Sequence, residues 1–159
     1  MSGIEDGRIR IVVDADACPV KDTIVEVAAR FGAHVVMVAS HNHRIEPAEG
    51  VTVVQVDASD QSADLHIANR LRKRDVLVTQ DFGLAAIGLA KGAVALSFRG
   101  QRYTAETIEY LLAHRHALSR QRRGGARIKG PRAMTDEDKL RFQHALTKVL
   151  TRLQENHNL

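Results

Sequence analysis

Aspartates fall at the points of this chain where an α/β protein does its chemistry. Asp14 ends the apolar run Ile11, Val12, Val13, and Asp16 follows two residues later. Asp57 comes straight after a second apolar run, ahead of Asp60 and Asp64, and Asp81 lies two residues beyond Thr79. Carboxylates converging on one crevice repel one another. A hard cation such as Mg2+ or Mn2+ offsets that repulsion, because it takes carboxylate oxygen. Such an ion lowers the pKa of a bound water and neutralises charge on a phosphate, which suits phosphoester hydrolysis. Taken singly, these acids have plainer uses. Asp81 could only cap a following helix, Asp57 could end a turn, and Asp75 could cap the start of a strand. Asp14, Asp16, Asp60, Asp64 and Asp81 taken together point to a metal site.

The elements that must position these acids follow from apolar patterning. Residues 8–14, 34–39, 51–56, 75–79 and 93–98 read as strands. Helices are expected over 62–74, 82–90 and 104–114, and after Pro19, where Ile24, Val27, Ala28 and Phe31 form an apolar face that Gly32 closes. Continuous apolar strands alternating with helices argue for a parallel sheet covered on both faces. The expected fold is a three-layer α/β/α domain with a central, mostly parallel sheet of about five strands. In such sheets ligands bind outside the carboxyl ends of the strands, where Asp14, Asp57 and Asp81 fall. Asp60 and Asp64 stand four residues apart, and Ile67 and Leu71 continue their stripe, so both carboxylates would top the core-facing side of a helix.

Other groups flank this constellation. Lys21 falls in a first helical turn, where the macrodipole disfavours a cation. It reads as a phosphate or transition-state contact, or simply as a solvated lysine. Cys18 shares that loop; a thiol among carboxylates has a raised pKa, so packing is preferred over nucleophilic chemistry. His41 and His43 could reach the crevice, but no cysteine or third nearby histidine completes a zinc set, and a loop role is preferred.

The chain has 159 residues, 44% hydrophobic and 26% charged, with a single cysteine and no tryptophan. One cysteine excludes an internal disulfide framework, and no apolar run approaches the roughly 18 residues of a membrane span. The first residues carry acids and no apolar core, unlike a secretory leader. A cytoplasmic location is the default expectation. The net charge of +4 matters less than its distribution. Arg120, Arg122, Arg123, Arg127, Lys129 and Arg132 fall in a stretch without acids, and Gly124, Gly125 and Gly130 would let backbone approach closely. That stretch reads either as a mobile loop that docks nucleic-acid phosphates or as a solvated linker. It has no interleaved aromatics, so base stacking by it is not indicated. The domain plan is an α/β unit over 1–118, a basic Gly/Arg-rich loop over 119–134, and a C-terminal helix over 135–159. Thr135 and Asp138 form a capping box for that helix. Leu140, Phe142, Leu146, Val149, Leu150 and Leu153 would dock it on the core or on a second subunit, leaving a homo-oligomer open.

These residues carry a resemblance. DADACPVK (14–21), DQSADLHI (60–67), VLVTQDFGLA (76–85) and RRGGARIKGPRAMTDEDKLRF (122–142) resemble the bacterial YaiI/YqxD family, over nearly the whole chain. That family looks like a branch of the PIN-like nuclease superfamily. The resemblance implies a PIN-like fold in which Asp14, Asp64 and Asp81 hold Mg2+ or Mn2+, with Asp16 and Asp60 as additional acids. It also implies phosphodiester hydrolysis of RNA or single-stranded DNA. The extended DADACPVK loop and the Arg-rich tail depart from the general PIN pattern. Two alternatives stand beside this. VVDADA looks like the strand end of haloacid-dehalogenase-type phosphatases, with Asp14 as nucleophile, although Asp60 and Asp64 would then go unused. A non-catalytic RNA-binding module would keep the acids for structure and bind through the arginines.

Overall fold

Short runs of β-branched residues build the centre of the molecule. β1 (Arg10–Asp14), β2 (His34–Ser40), β3 (Val51–Val56), β4 (Val76–Val78) and β5 (Val94–Leu96) form one sheet in the order β3-β2-β1-β4-β5. Every pairing is parallel. The computed structural model describes residues 7–40, 45–46, 48–57, 62–123 and 133–157.

Alternate side chains along each strand enter opposite layers. Ile11, Val13, Val35, Met37, Val76, Val78 and Leu96 face α1 (Lys21–Phe31) and α5 (Asp136–His157). Val12, Val36, Val38, Leu77 and Ala95 face the layer of α2 (Ser62–Arg70), α3 (Phe82–Ala90) and α4 (Ala105–Arg123). With both faces covered, the inner strands need apolar residues on both sides, which is why they read as nearly unbroken runs, whereas the edge strand β3 carries the exposed Thr52 and Gln55. The fold is thus the expected three-layer α/β/α arrangement, with all five strands parallel and a helix closing the chain.

The C-terminal helix belongs to this core. Thr135 N–H donates to Asp138 Oδ2 and Asp138 N–H to Thr135 Oγ1, both at 3.0 Å, forming the expected box. Phe142, Leu146, Val149, Leu150 and Leu153 are buried against the sheet and α1. Leu140 falls on the opposite side of the helix and is 54% exposed, so it does not join that face. The seat is the turn after β5. A Cβ on Gly100 (φ +85°) would stand 2.7 Å from the Arg141 carbonyl oxygen, so only glycine lets α5 approach this closely.

Three boundaries differ from the sequence pattern. α1 starts at Lys21, two residues beyond Pro19, because Pro19 and Val20 still lie in a turn and Val20 takes the non-helical cap conformation. α2 stops at Arg70: Arg74 adopts φ 74°, and the chain turns there to bring Asp75 onto Arg10. Arg10 grips both Asp75 oxygens, at 3.1 and 2.5 Å, and Asp75 is 5% exposed. α4 runs to Arg123 rather than ending near His114, taking residues 119–123 out of the expected loop. No glycine or proline interrupts it before Gly124, and its Leu, Ala, Gln and Arg residues are good helix formers. Among the described residues no helix is long and apolar enough to cross a membrane.

β1 is followed in space by β2 on one side and β4 on the other, so the winding reverses between β1 and β4. Crevices form outside the carboxyl ends of strands at such a reversal.

Candidate functional site

Asp14 is the last residue of β1 and stands at that reversal. Its partner comes from β4: Thr79 Oγ1 donates to Asp14 Oδ2 at 2.8 Å. The same hydroxyl accepts Asp81 N–H at 3.0 Å, so one fully buried threonine ties both strand ends together. Burial pushes the Asp14 carboxyl up from its ordinary range; the Thr79 bond opposes this, and the charges of Asp16 and Asp81 add to it.

Asp81 caps α3, as its plainer reading anticipated. Gly83 and Leu84 N–H donate to Asp81 Oδ1 at 2.8 and 3.1 Å. The cap is not its whole role. Asp64, in the first turn of α2, brings its carboxyl up beside that of Asp81. The Asp64 carboxyl is pushed up to about 6, first by burial, then by its contact with Asp81 and that residue's charge, then by the charge of Asp14. Three carboxyl groups from separate elements therefore sense one another across the crevice.

The other expected site residues are placed differently. Both oxygens of Asp16 face Ser40 N–H, at 3.1 and 3.2 Å, which pins the β1–α1 loop to the end of β2. Lys21 folds back on that loop, its ammonium donating to the Ala15 and Cys18 carbonyl oxygens at 3.1 and 3.0 Å. These bonds offset the unfavourable position of a cation in a first helical turn. They also brace the left-handed Ala17 between them (φ 60°). Cys18 is buried in the core and its thiol is pushed up to about 11, chiefly by burial, which fits packing rather than nucleophilic attack. Asp60, His41 and His43 lie outside the described residues, as do Arg127, Lys129 and Arg132. The backbone of Arg120, Arg122 and Arg123 is helical, within α4; their side chains lie outside the description.

Sequence reasoning missed three participants. Thr79 was legible only as a strand end. Tyr103, just ahead of α4, is buried; its hydroxyl donates to the Thr79 carbonyl at 3.1 Å and its ring meets Phe82 edge-on. Burial and the Asp81 charge push that phenol up to about 12, so it stays a neutral donor. Arg115, on α4, lines an open pocket of about 440 Å3 with Asp14, Gln80, Asp81 and Phe82. A threonine two residues before Asp81 was a readable signal; the other two depend on how α4 packs.

A hard divalent cation fits this donor chemistry, since every candidate ligand is a carboxylate. The spacing is not that of a closed site: among the described residues no group of three acids, histidines or cysteines stands close enough to hold one ion. Asp64 and Asp81 stand as a close pair instead, near enough for the Asp81 charge to act on Asp64.

A family profile described as uncharacterized BCR, YaiI/YqxD family, matches residues 12–152. The chain belongs to the YaiI/YqxD family. The UPF0178 protein BH1374 of Halalkalibacterium halodurans is 44% identical over 141 residues, covering 89% of this chain and 90% of that one. A UPF0178 protein of Bacillus pumilus is 46% identical over 144 residues, covering 89% and 86%. That of Listeria monocytogenes is 43% identical over 141 residues, covering 89% and 97%. Among solved structures, Rae1 (YacP) from Bacillus subtilis, as a W164L mutant, superposes with a TM-score of 0.42 at 17% identity, covering 90% of this chain and 98% of its own. The profile spans both the acidic crevice and α5, so the two are parts of one YaiI/YqxD unit.

Proposed function

We propose that this protein is a divalent-metal-dependent nuclease that hydrolyses phosphodiester bonds in RNA or single-stranded nucleic acid. One observation carries the reading: Asp14 and Asp81, from β1 and the β4–α3 turn, are held by one Thr79 hydroxyl on the wall of one pocket at the sheet reversal, and Asp64 of α2 stands close enough to feel both charges. Like charges so placed are costly, and a protein that only needed a helix cap would not bring Asp64 to Asp81. The resemblance to PIN-like nucleases supports the same assignment. Asp14, Asp64 and Asp81 would hold Mg2+ or Mn2+, with Asp60 alongside. Bound there, the cation would supply a water of lowered pKa and neutralise charge on the phosphate.

The protein's own residues do the rest. Thr79 orients Asp14 and fixes the backbone of Asp81 with one hydroxyl. Tyr103 holds that strand end from below. Asp16 pins the β1–α1 loop to the end of β2, and Lys21 braces the loop from within. Asp64, the most perturbed of the three carboxyls, would gain most from a cation that neutralises its neighbours. The basic stretch from Arg120 through Arg132 would hold the strand by its phosphates. Self-association through α5 would use its outer face, where Leu140 is exposed. The cytoplasm, where RNA is at hand, is the expected setting. A phosphatase built on Asp14 would leave the Asp64–Asp81 pair without a purpose.

The test is cleavage of end-labelled single-stranded RNA and DNA by purified protein. Activity with Mn2+ or Mg2+, abolished by chelator and by Asp14→Asn or Asp81→Asn, is the expected result. Salt-sensitive RNA binding with no cleavage under any metal would replace the nuclease with a binding module. An acid-stable phosphate trapped on Asp14 would replace it with a phosphatase.

A further inference from the structure

A pocket lined by carboxylates repels the phosphate it must admit. Asp14 and Asp81 lie on its wall with Asp64 close to Asp81, and with all three ionised a single divalent ion leaves net negative charge there. Some protein cation has to face the phosphate. Lys21 is engaged by two carbonyl oxygens of its own loop. Arg99 is drawn to the buried Asp138 at 3.5 Å, and Arg10 to Asp75. Arg115 is different: it lines the pocket itself, is exposed, and among the described residues forms no ion pair.

Its place on α4 is informative. Ile108 is buried and Leu111 half-buried in the layer that α4 forms with α3, and Arg115 follows them at i+7 and i+4 on the same stripe. An arginine therefore occupies a position that the core-facing pattern would fill with an apolar side chain. It can do so because the stripe has by then left the packed layer and reached the open crevice. A guanidinium offers a planar fork of N–H donors that matches two phosphate oxygens at once, which an ammonium cannot. Beside it in the pocket is the half-buried ring of Phe82, held edge-on by Tyr103. A ring next to a phosphate contact suits an unstacked base, which single strands offer and duplexes do not.

We propose that Arg115 is the phosphate anchor of this pocket, gripping the backbone of a single-stranded nucleic acid opposite the carboxylates. The assignment rests on the nuclease reading for what the carboxylates do, but not for what Arg115 binds. From Arg115 the helix continues to Arg120, Arg122 and Arg123, so the anchor begins the basic stretch rather than standing apart from it.

The experiment measures binding and metal affinity separately. Anisotropy of a fluorescein-labelled 12-nucleotide single-stranded RNA is followed across a KCl series with the full-length protein, Arg115→Ala and Arg115→Lys. Mn2+ binding to each is measured by calorimetry without RNA. The expected result is about tenfold weaker RNA binding for Arg115→Ala, the scale of one lost charge-assisted contact. The salt slope should fall by about one. Arg115→Lys should recover part of the affinity, and Mn2+ affinity should be unchanged in both. Unchanged RNA binding in Arg115→Ala overturns the proposal, as does equal competition by a duplex of the same sequence. Loss of Mn2+ affinity would also overturn it, since Arg115 would then be acting on the carboxylates. If the RNA binds through Arg115 yet is never cut, the anchor stands and the nuclease reading fails. If cutting persists undiminished in Arg115→Ala with RNA affinity intact, the nuclease stands and the anchor fails.

Discussion

Replacing Asp64 with asparagine should make the metal-free protein more stable at neutral pH. Asp64 carries a carboxyl raised from 3.8 to about 6 by burial, by its contact with Asp81 and by nearby negative charge. The native state therefore binds more protons than the unfolded chain between pH 3.8 and about 6. Stability from this group is fully present below that window and is lost as pH rises through it. Unscreened, a shift of this size corresponds to about 3 kcal/mol. Asp64 is only half-buried, and solvent screening reduces the expected effect to about 1 kcal/mol. Asparagine has nearly the same shape, offers a donor to Asp81, and has no charge to lose. Thermal unfolding followed by circular dichroism at pH 4.5 and 7.5, with EDTA present, reads this directly. Asp64→Asn should unfold about 3 °C above the natural protein at pH 7.5, with the gap shrinking toward pH 4.5. Adding Mn2+ should reverse the ranking at pH 7.5, because the natural protein gains about 2.7 kcal/mol at a hundredfold excess over Kd. A variant that is less stable at pH 7.5, or a gap independent of pH, would refute strained carboxylates as the basis of the site.

Three further outcomes follow from the geometry. Asp81→Asn should retain the α3 cap while Asp81→Ala loses about 1 kcal/mol in urea titration, yet both should lose metal-dependent cleavage. Thr79→Val removes the donor to Asp14 and leaves Asp81 N–H without its acceptor; it should cost about 1–3 kcal/mol and push the Asp14 carboxyl higher still by NMR titration. Gly100→Ala forces a Cβ against the Arg141 carbonyl at a positive φ, and should lower the unfolding midpoint by loosening α5, with proteolysis beginning at that helix.

Much of this was legible in the chain, for definable reasons. The strands showed because both sheet faces are buried, so Ile11–Val13 and Val76–Val78 could not alternate with polar residues. Asp14 showed because it directly follows such a run, Asp81 because it lies just past the end of another, and Asp64 because Ile67 and Leu71 continue its stripe. What stayed hidden depends on long-range contacts. The early stop of α2 is set by Arg10 meeting Asp75, 65 residues away. The engagement of Asp16 with Ser40 and of Lys21 with loop carbonyls turned two expected chemical groups into braces. The length of α4 was masked by its basic composition, which resembles a solvated linker although its Ala, Leu, Gln and Arg residues favour helix and no glycine or proline breaks it. Arg115 was hidden for the same reason, since its distance from Asp81 in sequence says nothing of how α4 crosses the crevice.

The central claim is that Asp14, Asp64 and Asp81 bind one hard cation together. A crystal of the protein soaked in Mn2+ at pH 7.5 and measured at the manganese edge tests it most directly. One anomalous peak within about 2.2 Å of an oxygen from each carboxylate is the predicted result. No peak in the crevice under saturating Mn2+ would contradict it.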